Sequence, residues 1–571
     1  MLNIGIPENF DVLFKFKDDV SNAHLYESWK PKINAYKEAL DKAQPAELRA
    51  PATDIPSNLD SKIFNTVQYL NQSNTLSDKE KEITSLTATE LAAKIAQQEY
   101  SSVAVLKAFA HRAVVLNQFT NFAMQFFIDE GLKRAEELDE IIKKTGKTVG
   151  PLHGLPISLK EHIGYEGKNT NGGWVSMLDD VTETDPTTVN VLKRLGAVFY
   201  VRTNQPQTLM HLDSNNNIVG RTRNPYNSLL TSGGSSGGEG ACIGGKGSAL
   251  GVGTDIGGSI RAPAAFCNCY GLRPTSRRLS TWGGLCGDGG QESVVSVVGP
   301  LANSVKDIEL FMKSYINEGK PWDEDQWSIP VLWRDVSKPI PGNVTVAIMY
   351  DNGQVKPHPP ILRGLNFAAQ KLKAAGVNIV EFDPIDTKKA YDVVNKMFTC
   401  DNNFEQKSLL RPSGEPLLPL TKLALSFSEG KEYTVTQNRE LNYERDLMRQ
   451  KYLNYFVDNK IDFIISPAGV GVAGVGIEDG QAGPGYWGYT SLFNVLDLPT
   501  LAFPTGLYQD PNIDVKDTNY IPRSEMDKIE QDKYIPELFS GAPIGLQISG
   551  RRYFDEEVVA FGKLIDEMLK A

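Results

Sequence analysis

Helical spacing of apolar residues begins near residue 87. Thr87-Ala-Thr-Glu90 is a capping box, in which the Thr hydroxyl and the Glu carboxylate each satisfy a backbone N–H at a helix start. Leu91 and Ile95 then follow at the interval that places them on one helix face. A further helix is predicted over about 129–144, because acidic residues open that segment, lysines close it and a glycine follows.

Short apolar runs of strand length alternate with further helical patterns in the rest of the chain. Strands are predicted at 155–160, 197–202, 344–349, 378–382, 463–466, 500–503 and 544–548, and helices at about 186–195, 360–375 and 556–569. Alternation of this kind predicts an α/β layered fold around a large, largely buried sheet.

Three segments differ in organisation. Residues 1–84 are expected to form a mainly helical N-terminal extension, and 85–571 the main domain. A more polar stretch over about 391–460 interrupts the strand and helix pattern. It is interpreted either as a cap or lid, or as an inserted helical hairpin that only packs on the domain.

Composition and charge narrow the classes of function. The chain has 571 residues with 59 Lys and Arg against 70 Asp and Glu, a net charge of −11. An acidic chain without a basic run is a poor candidate for binding nucleic acid. Mean hydropathy is −0.29 and no run reaches the roughly 18 apolar residues of a membrane span, so none is expected.

Cysteine usage favours a reducing compartment. Five cysteines, Cys242, Cys267, Cys269, Cys286 and Cys400, are too few for a secreted disulfide scaffold and odd in number. The pair at 267 and 269 has no second pair or nearby His, so buried thiols are expected rather than a zinc site. Since the N-terminus also has no basic and apolar signal pattern, a cytoplasmic protein is predicted.

Glycine and serine are concentrated in one region, Thr231–Ala241 followed by Gly251–Pro263. A flexible linker is the simplest interpretation of such a tract. Apolar residues are interleaved with the glycines, however, and the tract carries fixed acidic and basic residues. Backbone at positive φ, or in close approach to another group, explains the glycines better.

Three known motifs can be compared with this region. Gly240–Gly247 misses the phosphate-binding P-loop, because Gly247 stands where a Ser or Thr must follow the lysine. Gly251–Gly257 has one residue too many for the dinucleotide fingerprint. Gly233-Gly-Ser235-Ser-Gly237 matches the G-x-S-x-G nucleophile elbow, but only His358 follows it, far from the C-terminus.

Histidines offer little general-base or metal capacity. The six are His24, His111, His153, His162, His211 and His358, with no metal-binding spacing among them. Most are interpreted as surface or packed structural residues, and no metal site is expected. A lysine can replace histidine as the base for a nucleophilic serine where burial keeps it neutral.

The Gly/Ser region resembles the signature of the amidase signature family. The motifs that carry the resemblance are His153-Gly-Leu-Pro-Ile-Ser-Leu-Lys-Glu161, Gly233-Gly-Ser-Ser-Gly-Gly-Glu-Gly-Ala241, Gly257-Gly-Ser-Ile-Arg-Ala-Pro263, Gly271-Leu-Arg-Pro-Thr275, Phe493-Asn-Val-Leu-Asp-Leu-Pro499 and Pro543–Arg551. Within the family the chain is similar to fungal acetamidase-type amidases and a yeast urethanase, and more distantly to fatty acid amide hydrolase. The resemblance implies a large mixed β-sheet with helices on both faces.

The resemblance also implies a Ser–cis-Ser–Lys triad. It makes Ser259 the nucleophile, Ser235 the bridging serine in a cis peptide and Lys160 the general base. The family places an oxyanion hole at the backbone N–H groups of Ile256, Gly257, Gly258 and Ser259, and Leu209 near the substrate. Ser236 is expected to hydrogen-bond around the lysine, and Asp255 and Arg261 to hold the loop. No cofactor and no metal is implied.

The reaction implied is hydrolysis of small-molecule amides, and of carbamates such as ethyl carbamate, through an acyl-enzyme. Fatty acid amide hydrolysis is an alternative, and so is the partner-dependent amidotransferase subunit that acts on glutamyl-tRNA. A catalytically silent scaffold is a further alternative. The family often dimerises, so a homo-oligomer is a further expectation.

Overall fold

A computed structural model describes residues 17–287, 289–475 and 483–570. Its centre is one 11-stranded sheet. The strands are β1 Ala123–Phe126, β2 Pro156–Lys160, β3 Val198–Thr203, β4 Leu250–Asp255, β5 Tyr270–Arg273, β6 Val297–Ala302, β7 Thr345–Ile348, β8 Asn378–Glu381, β9 Phe463–Pro467, β10 Thr500–Tyr508 and β11 Pro543–Ser549. Their order across the sheet is β1-β3-β2-β4-β6-β5-β10-β11-β9-β7-β8.

Helices surround this sheet. In chain order they are α1 Ala23–Lys42, α2 Thr66–Gln72, α3 Asp78–Ser85, α4 Ala88–Ala96, α5 Ser102–Thr120, α6 Ile128–Thr145, α7 Thr187–Arg194, α8 Gly237–Gly244, α9 Arg261–Phe266, α10 Val305–Lys313, α11 Pro359–Ala374, α12 Thr387–Phe398, α13 Phe404–Leu410, α14 Pro419–Ser426, α15 Val435–Asp458, α16 Gly488–Val495, α17 Glu525–Lys533 and α18 Asp555–Lys570.

Both faces of the sheet are covered. Successive residues of a strand point to opposite faces. In β11, Gly545 lies against Ala265 of α9, where an added Cβ would come within 2.6 Å of the Ala265 Cβ. Its neighbour Ile544 contacts the other side, where an added Cβ on Gly364 of α11 would lie 2.6 Å from Ile544 Cγ2. The predicted α/β architecture with a mixed, two-sided sheet is confirmed.

The sheet is mixed, because parallel strand pairs lie toward each side of an antiparallel middle and the edge strand β1 is antiparallel to β3. Strand β2 pairs in parallel with both β3 and β4, and β7 pairs in parallel with β8 and β9. The β2–β4 register sets Leu159 opposite Val252. The carboxyl ends of β2 and β4 therefore meet at one edge, which brings Lys160 and Thr254 together.

Most predicted elements are present. The capping box at Thr87 and Glu90 forms as expected and opens α4. Helix α6 ends at Gly146, which adopts φ 68° as a left-handed cap. Strand β4 was not predicted, because Gly251 and Gly253 break its apolar pattern. An added Cβ on Gly251 would lie 2.1 Å from Glu239 Oε2, so this strand has room only for glycine there.

The polar stretch at 391–460 contains most of α12, then α13, α14 and α15. Before the main domain, the described residues from 17 to 84 carry α1, α2 and most of α3, and α3 packs against α5. The predicted buried thiols are confirmed, since Cys267 and Cys269 are both fully buried and neither is in a disulfide. Among the described residues, no helix is long and apolar enough to cross a bilayer.

Candidate active site

Lys160 is the last residue of β2, and its side chain is fully buried. Its Nζ lies 2.6 Å from Ser235 Oγ and 2.9 Å from Thr254 Oγ1. Ser235 follows a cis Gly234–Ser235 peptide, as predicted for that bond, and precedes α8. The end of β2, the end of β4 and the loop before α8 therefore meet at the Lys160 amine.

A chain of hydrogen bonds orients this amine. The Leu285 carbonyl lies 2.8 Å from His162 Nδ1, so that nitrogen must donate. Neutral His162 then accepts at Nε2, 2.9 Å from Thr254 Oγ1, and the threonine hydroxyl is the donor. The Thr254 oxygen in turn accepts an N–H from Lys160. The lone pair of a neutral Lys160 is left free for the Ser235 hydroxyl.

The pKa values of the nearby groups fit neutral forms. Burial lowers the pKa of Lys160 to about 7, against the opposing influence of the Asp255 and Glu239 carboxyls. Burial, together with the Lys160 charge, lowers the pKa of His162 to about 3, so the imidazole is neutral. Glu239 accepts from Ser158 Oγ at 2.6 Å, and its burial raises its pKa to about 8. Near neutral pH, a substantial fraction of Lys160 is the free amine.

The serine loop is held against β4. Ser236 Oγ accepts the Thr254 N–H and donates to the Thr254 carbonyl, both at 3.2 Å. Ser236 therefore contacts the backbone of the residue that binds Lys160 rather than Lys160 itself. Gly234 needs to be glycine, since an added Cβ would lie 2.3 Å from the Asp213 carbonyl oxygen.

Ser259 lies on the neighbouring loop, between β4 and α9, and is 5% exposed. Its backbone carbonyl accepts the Ser236 N–H at 3.1 Å, which joins the two serine loops. Asp255 fixes the loop from inside. It accepts the Gly258 N–H at 2.8 Å and pairs with Arg261 Nε at 2.9 Å. Although burial alone would raise the pKa of Asp255, the Arg261 charge holds it well below its usual range.

Arg261 is likewise buried and fully bonded. Its guanidinium reaches the Thr490 carbonyl and the Gln547 amide, both at 3.0 Å, and Asn494 Oδ1 at 2.6 Å. These hydrogen-bond partners of Arg261 are all side chains or backbone groups of the surrounding protein. This agrees with the expectation that Asp255 and Arg261 hold the loop.

The four backbone amides predicted for an oxyanion hole are not equivalent. The Gly258 N–H already donates to Asp255. Within the described residues, the amides of Ile256, Gly257 and Ser259 have no protein acceptor. Three backbone N–H groups of this turn are therefore available to an oxyanion. The fourth, that of Gly258, holds the turn in place through its hydrogen bond to Asp255.

A small cavity of about 20 Å³ opens at Ser259. Its wall is mostly apolar and consists of Leu209, Met210, His211, Leu212, Ile256, Gly257, Ser259, Phe398 and Trp487. Leu209, which the resemblance places near the substrate, lies in this wall with φ 62°, next to Thr208 at φ 66°. A β-branched residue in the left-handed region is strained, a feature that clusters at ligand sites.

Part of this wall comes from the 391–460 stretch. Phe398 is the last residue of α12 and faces Gly257, whose added Cβ would meet it at 3.8 Å. Farther along, buried Glu415 accepts the Gln207 amide at 2.7 Å and the Val175 N–H at 2.8 Å. The stretch is thereby tied to the loop that carries Leu209.

A second cavity of about 700 Å³ also has Ile256 in its wall. Its other lining residues include His162, Thr254, Trp282 and Trp327. The two cavities therefore share Ile256, which follows β4 in the loop that carries Ser259.

In the part of the chain that the structure describes, Ser235 is not paired with a histidine. His358, the only histidine after Ser235, directs Nε2 to the Glu530 carbonyl at 3.0 Å and stacks on Tyr534. The hydroxyl of Ser235 has Lys160 as its partner instead.

Comparisons with known proteins agree with these motifs. The family model Amidase matches residues 104–559. The chain belongs to the amidase family. It is 38% identical to an acetamidase from Emericella nidulans, over 88% of this chain and 92% of that one. It is 36% identical to an acetamidase from Aspergillus oryzae, over 95% and 99% of the two chains.

A solved structure named fatty acid amide hydrolase is also similar to this amidase. It has a TM-score of 0.95 and 52% identity, and the match covers 98% of each chain. Fatty acid amide hydrolase was expected to be the more distant resemblance, yet this structure has the higher identity of the three. The predicted family and an amide-hydrolysing enzyme are confirmed.

Among the residues of the candidate site that were not predicted from the sequence are His162, Thr254, Phe398 and Trp487. His162 comes two residues after Lys160, and that proximity was a usable signal. Thr254 lies within the glycine-rich segment Gly251–Pro263, where no local pattern distinguishes it as a site residue. Phe398 and Trp487 reach the cavity only through tertiary packing, so nothing in the local pattern marks them.

Proposed function

We propose that this amidase cleaves small-molecule amides with Ser259 as nucleophile, Ser235 as proton relay and Lys160 as general base. The observation that carries the proposal is the fully buried Lys160 amine, with its pKa near 7 and its Nζ 2.6 Å from Ser235 Oγ. A base with a pKa near the working pH is the most effective one.

The first step forms the acyl-enzyme. Ser259 Oγ attacks the amide carbonyl carbon while its proton passes to Ser235, and the Ser235 proton passes to Lys160. The carbonyl oxygen becomes an oxyanion that accepts from the amides of Ile256, Gly257 and Ser259. Loss of one such donor costs about 10²–10³ in rate in other hydrolases.

Collapse of this intermediate returns the proton. Lys160 reprotonates Ser235, which protonates the departing nitrogen, and the C–N bond breaks to release ammonia or an amine. Water then attacks the ester carbonyl, its proton passes along the same relay, and the carboxylate leaves Ser259. No step needs an oxidant, a reductant or another co-reactant.

The narrow cavity supports a small substrate. Its volume of about 20 Å³ and its apolar wall of Leu212, Phe398 and Trp487 fit a short acyl group better than a long chain. Ethyl carbamate is only slightly larger than acetamide, and a serine can attack its carbonyl in the same way. Attack on ethyl carbamate would release ammonia and leave an ethoxycarbonyl group on Ser259 as a mixed carbonate ester, which water would then release as the carbonate half-ester.

A lipid amide is the second candidate. The 52% identity to the structure named fatty acid amide hydrolase favours it. A further cavity, of about 10 Å³, adjoins the small cavity at Ser259 and shares Met210, Phe398 and Trp487 with it. Rotation of those side chains would join the two spaces and lengthen the site.

The test is hydrolysis of a series of amides by the purified chain. Acetamide, longer aliphatic amides, benzamide, ethyl carbamate and a long-chain fatty acid amide are compared by initial rate. We expect the short amides to have the highest kcat/KM and Ser259→Ala to abolish all turnover. Ser549→Ala, which alters a buried serine of β11, is the matched control and keeps its activity.

Other outcomes separate the alternatives. A rate that increases with chain length would replace the small-amide proposal with the lipid one. Activity in Ser259→Ala would contradict the assignment of the nucleophile. Activity that appears only after companion proteins are added would favour a partner-dependent amidotransferase, and an inactive pure chain under every condition would favour a scaffold. Localisation to the cytoplasm is part of the proposal and is tested by cell fractionation.

A further inference from the structure

Helix α15, Val435–Asp458, carries apolar side chains on two faces. One is buried in the protein and consists of Leu441, Met448, Tyr452 and Phe456. On the opposite face, where the polar residues Asp446, Gln450 and Asn454 also lie, four apolar side chains are open to solvent and between 44% and 67% exposed: Tyr443, Leu447, Leu453 and Val457. We name these four residues the α15 stripe. Single exposed leucines are ordinary, but four large apolar side chains along one helix are a candidate contact surface.

The α15 stripe is symmetric about one residue. At about 100° per residue its members fall within about 120° of the helix circumference. Gln450 lies at the middle of that arc and is itself exposed. Leu447 and Leu453 are each three residues from Gln450, while Tyr443 and Val457 are each seven residues from it.

Such symmetry suits an antiparallel copy of the same helix. In a two-fold pair whose axis passes by Gln450, Tyr443 would face Val457 of the second copy, and the two Gln450 side chains would meet. A glutamine amide is both donor and acceptor, so it can hydrogen-bond to its own copy, whereas a charge at the axis would repel itself.

Charges at the two ends of α15 complement each other in the same arrangement. Arg439 and Glu440 lie at one end, and Asp458 and Lys460 at the other, all exposed. None of these four has an ion-pair partner among the residues that the structure describes. The antiparallel pair would bring Glu440 to Lys460 of the second copy and Arg439 close to its Asp458, and the two-fold axis would repeat both contacts.

We propose that α15 is the contact surface of a homodimer of this chain, with the two helices antiparallel about Gln450. The occupant is a second copy because both the apolar spacing and the unpaired charges are self-complementary. A membrane surface fits less well, because acidic and basic residues are mixed along the helix where lipid-binding helices are rich in Lys and Arg. The helix is about 36 Å long, which is enough for an extended contact.

The first test is the mass of the full chain in solution, measured by sedimentation velocity over a wide range of concentration. We expect a dimer for the wild type, and for Leu447→Glu with Leu453→Glu a dissociation constant at least about 100-fold higher, because buried unpaired carboxylates oppose association. Ile521→Glu, on a different exposed surface, is the control and keeps the dimer. Unchanged hydrolysis of a small amide shows that each variant is folded.

The second test addresses the charges. Glu440→Lys and Lys460→Glu should each weaken the dimer about three- to tenfold, since each loses two exposed ion pairs and gains like-charge contacts. The variant carrying both changes should recover the wild-type affinity. Recovery is specific to a contact between these two positions and would not follow from a structural effect of either change.

The third test fixes the direction of the helices. A mixture of Tyr443→Cys chains and Val457→Cys chains, mildly oxidised, should give a disulfide-linked dimer, while Tyr443→Cys chains alone and the wild type should give little. Linkage of Tyr443→Cys chains to each other would indicate a parallel pair and overturn the arrangement. Two results would overturn the proposal: a wild type that is monomeric at every concentration, or a dimer whose affinity is unchanged by Leu447→Glu with Leu453→Glu. Either result would overturn it even if α15 were found to bind a different protein or lipid vesicles.

Discussion

Thr254 joins the proposed base to the rest of the protein, so its replacement is the most informative single change. Thr254→Val keeps the size and branching of the side chain and removes Oγ1. Two hydrogen bonds of 2.9 Å are lost, one from Lys160 Nζ and one to His162 Nε2. Each is worth about 0.5–1.5 kcal/mol net, and each leaves a buried group without its partner. We expect the free energy of unfolding to fall by about 2–4 kcal/mol.

The effect on rate should exceed the effect on substrate binding. Without the Thr254 oxygen, the Lys160 lone pair is no longer directed toward Ser235, and we expect kcat to fall about 10- to 100-fold, or about 1.4–2.8 kcal/mol, with KM little changed. The hydroxyl oxygen also stabilises the protonated amine. Its removal should lower the pKa of Lys160 further, so the acidic limb of the pH profile should move to lower pH.

The assay is ammonia release from a short amide across pH, with stability followed by urea unfolding. Thr254→Ser restores the hydroxyl and should restore most of the rate. Thr505→Val removes a buried hydroxyl of β10 that donates to the Ile544 carbonyl at 2.7 Å, and it should cost stability alone. A fully active Thr254→Val with an unchanged pH profile would refute the hydrogen-bond chain as the device that orients Lys160.

Three further predictions follow from the same geometry. In the wild type, kcat/KM should rise with pH through about 7 and then level, because Lys160 must be neutral to accept a proton; a profile that falls through that range would contradict this. Gly258→Ala should unfold the loop or abolish activity, since φ is +129° and its Cβ would lie 2.3 Å from Thr490 Oγ1, whereas Gly257→Ala should fold normally; circular dichroism and activity check the pair. Asp255→Ala should cost about 3–5 kcal/mol in urea unfolding, because it leaves the buried Arg261 charge unpaired.

Local pattern predicted those elements that are continuous apolar runs or that carry a complete end signal. The strands at Lys160 and at β9 to β11, and the helix that ends at Gly146, have periods or end signals that are complete within the segment. Strand β4 has no such signal. Its glycines are required by the close approach of Glu239, a tertiary constraint that a window of sequence does not contain.

The candidate site also contains residues that the sequence could predict and residues that only the fold brings together. Ser235, Ser259 and Lys160 lie in motifs that could be matched residue by residue, and the structure places Ser235 and Lys160 in direct contact. The pocket wall could not be predicted, since Phe398 and Trp487 are 89 residues apart and meet only in the fold. Four backbone amides were expected to form the oxyanion hole. The structure shows that one of them, the Gly258 N–H, already donates to Asp255, and the sequence motif gave no sign of this.

In the proposed reaction the acyl group is carried by Ser259. Acid-quenching the enzyme during turnover of a slow aryl amide, followed by mapping of the acylated peptide by mass spectrometry, shows which serine carries it. We expect the added acyl mass on the peptide that contains Ser259 and its absence in Ser259→Ala. Acylation of Ser235, or steady turnover with no acylated serine, would contradict the account.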